Sequence, residues 1–347
     1  WVAVIVLAII ASVVYFYSRP NAEMPNQDAS TKGKIIRIGL SFDSVKIQRW
    51  ADERDIMVEK AKSLGATVTT FSAEGDDDKQ ISQIENLISQ QVDVIIVVAH
   101  DAQAVGPVLT KAQEAGIKVI NYDRLTMKGK PDLYLSFDSV KVGEYAARYV
   151  VDDAMKAKSV PNIAYVGGST TDNNSYLVLE GAMSVIDPLV KSGKITLVYN
   201  EFTKDWSPSE AYKNFKTFLA NGGKVDGVVT AYDGLAYGVI QALGEKNLAG
   251  KVPVSGQNGE LQAIQRIVQG TQTMTAWKPG KPLAEKAVEA AVAFATGNTP
   301  ESNGTVKNDT ADIRSYLFDP IPVVKGNIDE TIIHSGTFTR EQIYGSN

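Results

Sequence analysis

The chain has 347 residues, of which 44% are hydrophobic and 22% charged, with a net charge of −5 and no cysteine. These are the proportions of a globular protein long enough for two domains, and the acidic balance argues against nucleic acid, which calls for a basic face. The lack of cysteine excludes disulfides, thiolate metal sites, a cysteine nucleophile and lipid attachment through cysteine.

Trp1–Tyr17 carries no charge, and Ser12 is its only hydroxylated aliphatic residue. As a helix it would span about 26 Å, close to the apolar thickness of a bilayer. Tyr15, Phe16 and Tyr17 close the run and Arg19 follows, an arrangement suited to a membrane interface. A signal peptide would end in small residues, and this end is bulky. The expectation is a transmembrane anchor at 1–17, with the soluble part on the extracytoplasmic side. Ser18–Gly33 is polar and has almost nothing to bury, so it reads as a flexible linker.

From Ile35 onward, strands and helices alternate. Ile35–Leu40, Thr67–Phe71 and Val94–Val98 read as strands, and Val119–Ile120 belongs to a fourth within the stretch Lys118–Arg124. Between them Trp50–Leu64, Asp78–Gln90 and Pro107–Ala115 read as helices, two of them closed by Gly65 and Gly116. Tyr134–Phe137 is extended and Lys141–Met155 helical. Ile163–Val166 is a strand, and Tyr176–Ile186 is a helix stopped by Pro188. Ile195–Tyr199, Gly227–Thr230, Val252–Ser255 and Thr273–Trp277 are further strands. Helices are expected at Pro208–Leu219, Leu235–Leu243, Glu260–Val268 and Leu283–Ala295. Thr299–Ala311 reads as a polar loop, Ser315–Phe318 as a strand and Ile328–Ile333 as a short helix. The strands are too numerous for one doubly wound sheet of usual size. Two α/β lobes in tandem account for them better than a closed barrel, which needs eight comparable units.

In open α/β sheets ligands sit beyond the carboxyl ends of the strands. Here those ends carry Arg49-Trp50, Asp123-Arg124, Asp172-Asn173-Asn174, Asp205-Trp206, Tyr232-Asp233, Gln257-Asn258 and Lys278. Asp, Asn and Arg match vicinal hydroxyls, and flat aromatics match the apolar faces of a sugar ring. Trp50 and Trp206 each follow a polar residue at the start of an element, a position open to a ligand-facing ring or to a core one. Gly167-Gly168 lacks the spacing of a dinucleotide or P-loop fingerprint, and Asp76-Asp77-Asp78 lacks that of a calcium loop. The two histidines, His100 at a strand end and His334 near the C-terminus, are not spaced to hold zinc, and no nucleophile elbow is present. No enzyme, metal or cofactor is expected.

Several stretches in order match one family. They are Arg49-Trp50 with Glu53-Arg54-Asp55, Ser82-Gln83-Ile84-Glu85-Asn86, Tyr122-Asp123-Arg124, Ser136-Phe137-Asp138, Gly167-Gly168-Ser169, Asp172-Asn173-Asn174, Ser255-Gly256-Gln257 and Gly270–Thr275 leading to Lys278-Pro279. From about Lys34 to Arg340 the chain resembles the bacterial periplasmic sugar-binding proteins of the ribose/galactose type, and among them the D-xylose-binding proteins.

The resemblance implies a type I periplasmic binding protein: two Rossmann-like lobes joined by three hinge strands, with sugar in the cleft and no catalysis. It implies an N-terminal lobe of 34–138 plus 259–313 and a C-terminal lobe of 139–258 plus 314–347. The crossings would lie near Phe137–Ser139, Gln257–Gly259 and Ile313–Tyr316. The implied ligand contacts are Arg49, Trp50, Asp123, Arg124, Asp172, Asn174, Trp206 and Lys278. Tyr232 and Asn258 stand where the family's xylose binders carry an asparagine and an aspartate. With the anchor, the chain resembles the membrane-held xylose sensors that dock on a histidine kinase of a two-component system. The alternative is delivery of xylose or a related sugar to an ABC importer through its permease. A sugar-modifying enzyme and a repressor with this two-lobe core are the rival classes, and the repressor would need a helix-turn-helix head where the apolar run stands.

Overall fold

The structure is a computed structural model and describes residues 35–46 and 48–345. The expected anchor at 1–17 and linker at 18–33 lie outside the described residues. Among the described residues no helix is long and apolar enough to cross a membrane.

The chain begins β1 (Arg37–Phe42), α1 (Gln48–Ser63), β2 (Thr67–Ser72), α2 (Asp77–Ser89), β3 (Val94–Val98), α3 (Gly106–Glu114), β4 (Lys118–Tyr122), β5 (Leu133–Phe137) and α4 (Ser139–Ala157). It continues β6 (Asn162–Gly167), α5 (Asn173–Lys191), β7 (Thr196–Phe202), a 3-10 turn (Lys204–Trp206), α6 (Pro208–Ala220), β8 (Gly227–Thr230), α7 (Asp233–Gly244), β9 (Gln257–Asn258), α8 (Leu261–Gln269) and β10 (Met274–Trp277). It ends α9 (Gly280–Ala295), β11 (Gly304–Lys307), β12 (Asp312–Phe318), β13 (Ile321–Val324) and α10 (Arg340–Tyr344).

The first lobe is a seven-stranded sheet in the order β11-β12-β5-β4-β3-β1-β2, parallel except for the β11–β12 edge. Strand β3 is buried along its whole length, as a parallel strand covered on both faces must be. Its period of two divides it between two cores. Val94, Ile96 and Val98 pack with Met57 of α1 and Leu283, Ala287 of α9. Ile95 and Val97 pack with Leu87 of α2 and Leu109 of α3. Each such side chain contributes roughly 1.5–3 kcal/mol on burial.

The second lobe holds the parallel sheet β7-β6-β8 and the sheet β13-β10-β9, linked by the bridge Val228–Val254. Helices α4 and α5 cross closely through two glycines. A Cβ on Gly143 would lie 1.9 Å from the Val178 carbonyl oxygen, and one on Gly181 would lie 1.9 Å from that of Val140. Any side chain at either position would force the helices apart.

The chain passes between the two sets of elements at Asp138, between Trp277 and Gly280, and between Phe318 and Ile321. This moves the expected boundaries at 259 and 313. Strand β10 pairs with β9 and β13 rather than with the first sheet, and β12 stays beside β5 through Phe318. An apolar run marks a buried strand but not its partner.

Three further expectations are corrected. The polar loop at Thr299–Ala311 contains β11, an exposed edge strand without hydrophobic alternation, folded back on β12 around Asn308. Asn308 Oδ1 accepts from the backbone N–H groups of Thr310 and Ala311 at 2.9 and 2.8 Å and so makes the turn. Helix α5 continues through Pro188 to Lys191. Pro188 stands four residues before the C-cap Ser192, so the single i→i−4 bond it cannot donate falls near the helix end. Val252–Ser255 forms a single bridge rather than a strand.

Candidate functional site

The carboxyl ends of the strands converge on one cleft between the lobes, with about 410 Å³ of space between its atoms. Every expected ligand contact lines it. Arg49 and Trp50 stand in the first turn of α1, and Asp123 and Arg124 just follow β4. From the other side come Asp172 and Asn174 at the start of α5, Trp206 in the 3-10 turn, Tyr232 before α7, Asn258 in β9 and Lys278 after β10. Gln257 also lines the cleft. The sequence puts it at a strand end, and it is not among the expected contacts. Its place beside Asn258 is the signal that could have found it.

The site is built on strained backbone. Asp123 (φ 60°), Trp206 (φ 54°) and Asn258 (φ 99°) all lie in the left-handed region that side chains other than glycine avoid. Such conformations cost of order 1–3 kcal/mol and persist only where the surroundings over-determine them. At Asp123 the constraint is visible. Its carbonyl oxygen accepts from Tyr134 Oη (2.8 Å), Ser136 Oγ (2.9 Å) and Asn174 Nδ2 (2.9 Å). At Trp206 the ring lies against Gly168, where a Cβ would sit 2.2 Å from the indole. Only glycine leaves room for that ring.

Its charges are paired internally. Arg49 donates through Nε to Glu53 Oε1 (2.7 Å) and through Nη2 to Asp123 Oδ2 (2.8 Å). Tyr122 Oη donates to the other oxygen of Glu53 at 2.7 Å. Lys278 Nζ stands 3.5 Å from Asp123 Oδ2. Arg124 donates through Nη1 to Asp43 Oδ2 (2.9 Å) and the Ala99 carbonyl (2.9 Å), and its Nε lies 2.9 Å from Asp172 Oδ2. Cations and carboxylates thus neutralise one another, which suits a neutral ligand with many hydroxyls better than an anion.

Burial sets the protonation energetics. It works to raise the Asp123 carboxyl, but Arg49 and then Lys278 outweigh it and hold that group well below the usual carboxylate range. Burial pushes the Lys278 ammonium down to about 8, against the pull of Asp123. Burial also raises Asp172 and Glu53, against Arg124 and Arg49 respectively.

The two lobes touch across the cleft. The Arg124–Asp172 ion pair joins them, as do the bonds from Asn174 Nδ2 to the carbonyl and to Oδ1 of Asp123, the latter at 3.0 Å. The Ala102 N–H also donates to the Thr171 carbonyl at 3.0 Å. Around these contacts Trp50 Nε1, Trp206 Nε1, Gln257 Oε1 and Asn258 Oδ1 are buried without a hydrogen-bond partner among the described residues. Buried polar atoms in native proteins almost always have one. Tyr232 has its partner within the protein: its hydroxyl donates to Glu260 Oε1 at 2.7 Å, and its ring meets Trp206 edge-on with centroids 6.2 Å apart. It therefore offers the cleft a ring more than a hydroxyl. Behind it the Asp233 carboxyl, pushed up to about 7 by burial and then by Glu260, accepts from the N–H groups of Gly259 and Glu260 and so holds the Asn258 loop.

A cleft of hydrogen-bonding and aromatic side chains at the seam of two parallel α/β lobes defines a binding protein. The chain belongs to the periplasmic binding protein family, whose domain it matches over residues 38–299. It is 44% identical over 317 residues to the D-xylose-binding periplasmic protein of Haemophilus influenzae, covering 91% of this chain and 94% of that one. It is 42% identical over 310 residues to the D-xylose-binding periplasmic protein of Escherichia coli, covering 89% and 93%. Its fold is similar to that of an ABC transporter solute-binding protein from Clostridium phytofermentans with bound β-D-glucose. That likeness has a TM-score of 0.82 and 28% identity, over 88% of this chain and 99% of the other. These relatives are binding proteins and not enzymes.

Proposed function

We propose that the chain is an extracytoplasmic receptor that closes its two lobes on D-xylose and delivers the sugar to an ABC importer. The observation that carries this reading is the cleft itself: paired carboxylates and cations, two indoles and a tyrosine ring, assembled from both lobes. The likeness to two D-xylose-binding proteins supports xylose as the sugar, and the likeness to an ABC transporter's binding protein supports import. The expected histidine kinase partner has no such support among these relatives. In this reading the lobes comprise about 36–138 with 280–318, and 139–278 with 321–345. Sugar favours the closed form because only that form offers groups from both lobes at once. About seven hydrogen-bonding side chains, at roughly 1 kcal/mol net each, are enough to drive closure.

Calorimetric titration with D-xylose, D-ribose, L-arabinose, D-glucose and D-galactose tests the sugar. One-site binding strongest for D-xylose is expected. Failure to bind any of the five would refute the assignment and direct attention to Tyr232 and Asn258 as marks of another ligand. Copurification with a permease rather than with a kinase sensor domain is the expected result for the partner.

A further inference from the structure

Behind Arg124 stands a titratable group with no direct part in the cleft. His100 lies two residues past β3, and its backbone N–H donates to Gln80 Oε1 of α2 at 2.9 Å. Its Nδ1 is 2.7 Å from Asp43 Oδ1. A carboxylate only accepts, so Nδ1 carries the hydrogen whether the ring is neutral or charged. The other oxygen of Asp43 accepts from Arg124, and Arg124 reaches Asp172 of the opposite lobe. The row His100–Asp43–Arg124–Asp172 thus runs from a ring whose side chain is 22% exposed to the seam.

Closure changes the charge of this row. Before Asp172 arrives, neutral His100, Asp43 and Arg124 sum to zero. Asp172 adds a buried negative charge at 3% exposure, which an imidazolium would cancel. The other charges facing His100 are Asp77 in the first turn of α2, with Asp101 near it, and Arg124 beyond Asp43. In the cleft, Arg49, Lys278, Asp123 and Glu53 balance among themselves.

We propose that His100 is a positioning residue of the site, holding Arg124 through Asp43 and taking up a proton when the lobes close on sugar. This rests on the reading of the cleft as a sugar site. With Asp172 in place, the hydrogen bond to Asp43 raises His100 from 6.5, against burial. The part of that rise that Asp172 brings is present only in the closed form, so tighter binding is fully present below the open-state value and is lost as pH rises through the closed-state value.

The test is the histidine ring signals in NMR, of which the chain has two, His100 and His334; His334→Gln assigns them. Adding D-xylose is expected to move the His100 midpoint up by about 0.5, which corresponds to about threefold in affinity across the transition. Calorimetry in two buffers of different ionisation heat should show proton uptake on binding. His100→Gln, whose amide can keep the Asp43 bond, should retain measurable binding without that uptake. His334→Gln should leave the uptake unchanged, and Asp43→Asn should lower the His100 midpoint even without sugar. Any proton exchange at Lys278 is common to every variant, so the difference between variants isolates His100. An unmoved midpoint on binding, or uptake that survives His100→Gln, would overturn this inference alone. A blank titration would overturn the sugar reading and this one with it.

Discussion

Asp172→Asn separates the two jobs of one side chain. Asp172 Oδ1 caps α5 by accepting from the Asn174 N–H at 2.9 Å, while Oδ2 meets Arg124 Nε across the seam at 2.9 Å. Asparagine caps a helix about as well as aspartate, so the fold is retained and the cross-lobe charge is removed. A hydrogen bond to a charged group contributes about 1.5–3 kcal/mol. Breaking a buried pair costs about 3–5 kcal/mol when the survivor is left alone. Arg124 keeps Asp43 and the Ala99 carbonyl, so the smaller figure applies. A loss of about 2 kcal/mol corresponds to about 30-fold weaker D-xylose binding. Calorimetry should find that loss with Tm nearly unchanged, whereas Asp172→Ala should also lower stability by about 1 kcal/mol through the lost cap. Binding by Asp172→Asn within threefold of the parent would refute the reasoning, because the seam would then not be closing on the sugar.

Gly168→Ala should weaken sugar binding at least tenfold with the fold retained, since its Cβ would displace the Trp206 ring; titration and circular dichroism check the two halves. Tyr232→Phe should cost about 1–3 kcal/mol of stability by stripping Glu260 of its donor. Its affinity should change little, because the ring remains; a large loss of affinity would show that the hydroxyl serves the ligand. The ammonium of Lys278, at about 8, is disfavoured in the folded protein relative to its ordinary 10.5. The unfolded chain therefore binds more protons between these values. The penalty is full below pH 8 and is relieved as pH rises toward 10.5. Denaturant unfolding of Lys278→Met and the parent should differ by an amount that shifts by up to about 3 kcal/mol across that window.

The lining of the candidate cleft was largely legible in the sequence because its residues follow strand ends, and a strand end is visible as the point where an apolar run gives way to polar residues. Arg49-Trp50, Asp123-Arg124 and Asp172–Asn174 all follow that rule. The pairing of strands is not local in this sense. Nothing within Met274–Trp277 says that it lies between Gln257–Asn258 and Ile321–Val324, so the lobe boundary at 259 was misplaced. The Gly304–Lys307 edge strand is polar and largely exposed, so it carried no hydrophobic signature. The supporting residues were the hardest to see. Glu53 follows Arg49 at a helical spacing and Asp43 follows β1, but their partners Tyr122 and His100 come from distant strands. The strain at Asp123, Trp206 and Asn258 leaves no trace in composition.

A crystal structure of the protein with D-xylose tests the central claim most directly. One sugar is expected in the cleft between the lobes, hydrogen-bonded to side chains of both, Arg49, Asp123 or Arg124 on one side and Asp172, Asn174 or Lys278 on the other, with Trp50 and Trp206 against it. Sugar bound elsewhere, or a cleft without sugar at saturating D-xylose, would contradict it.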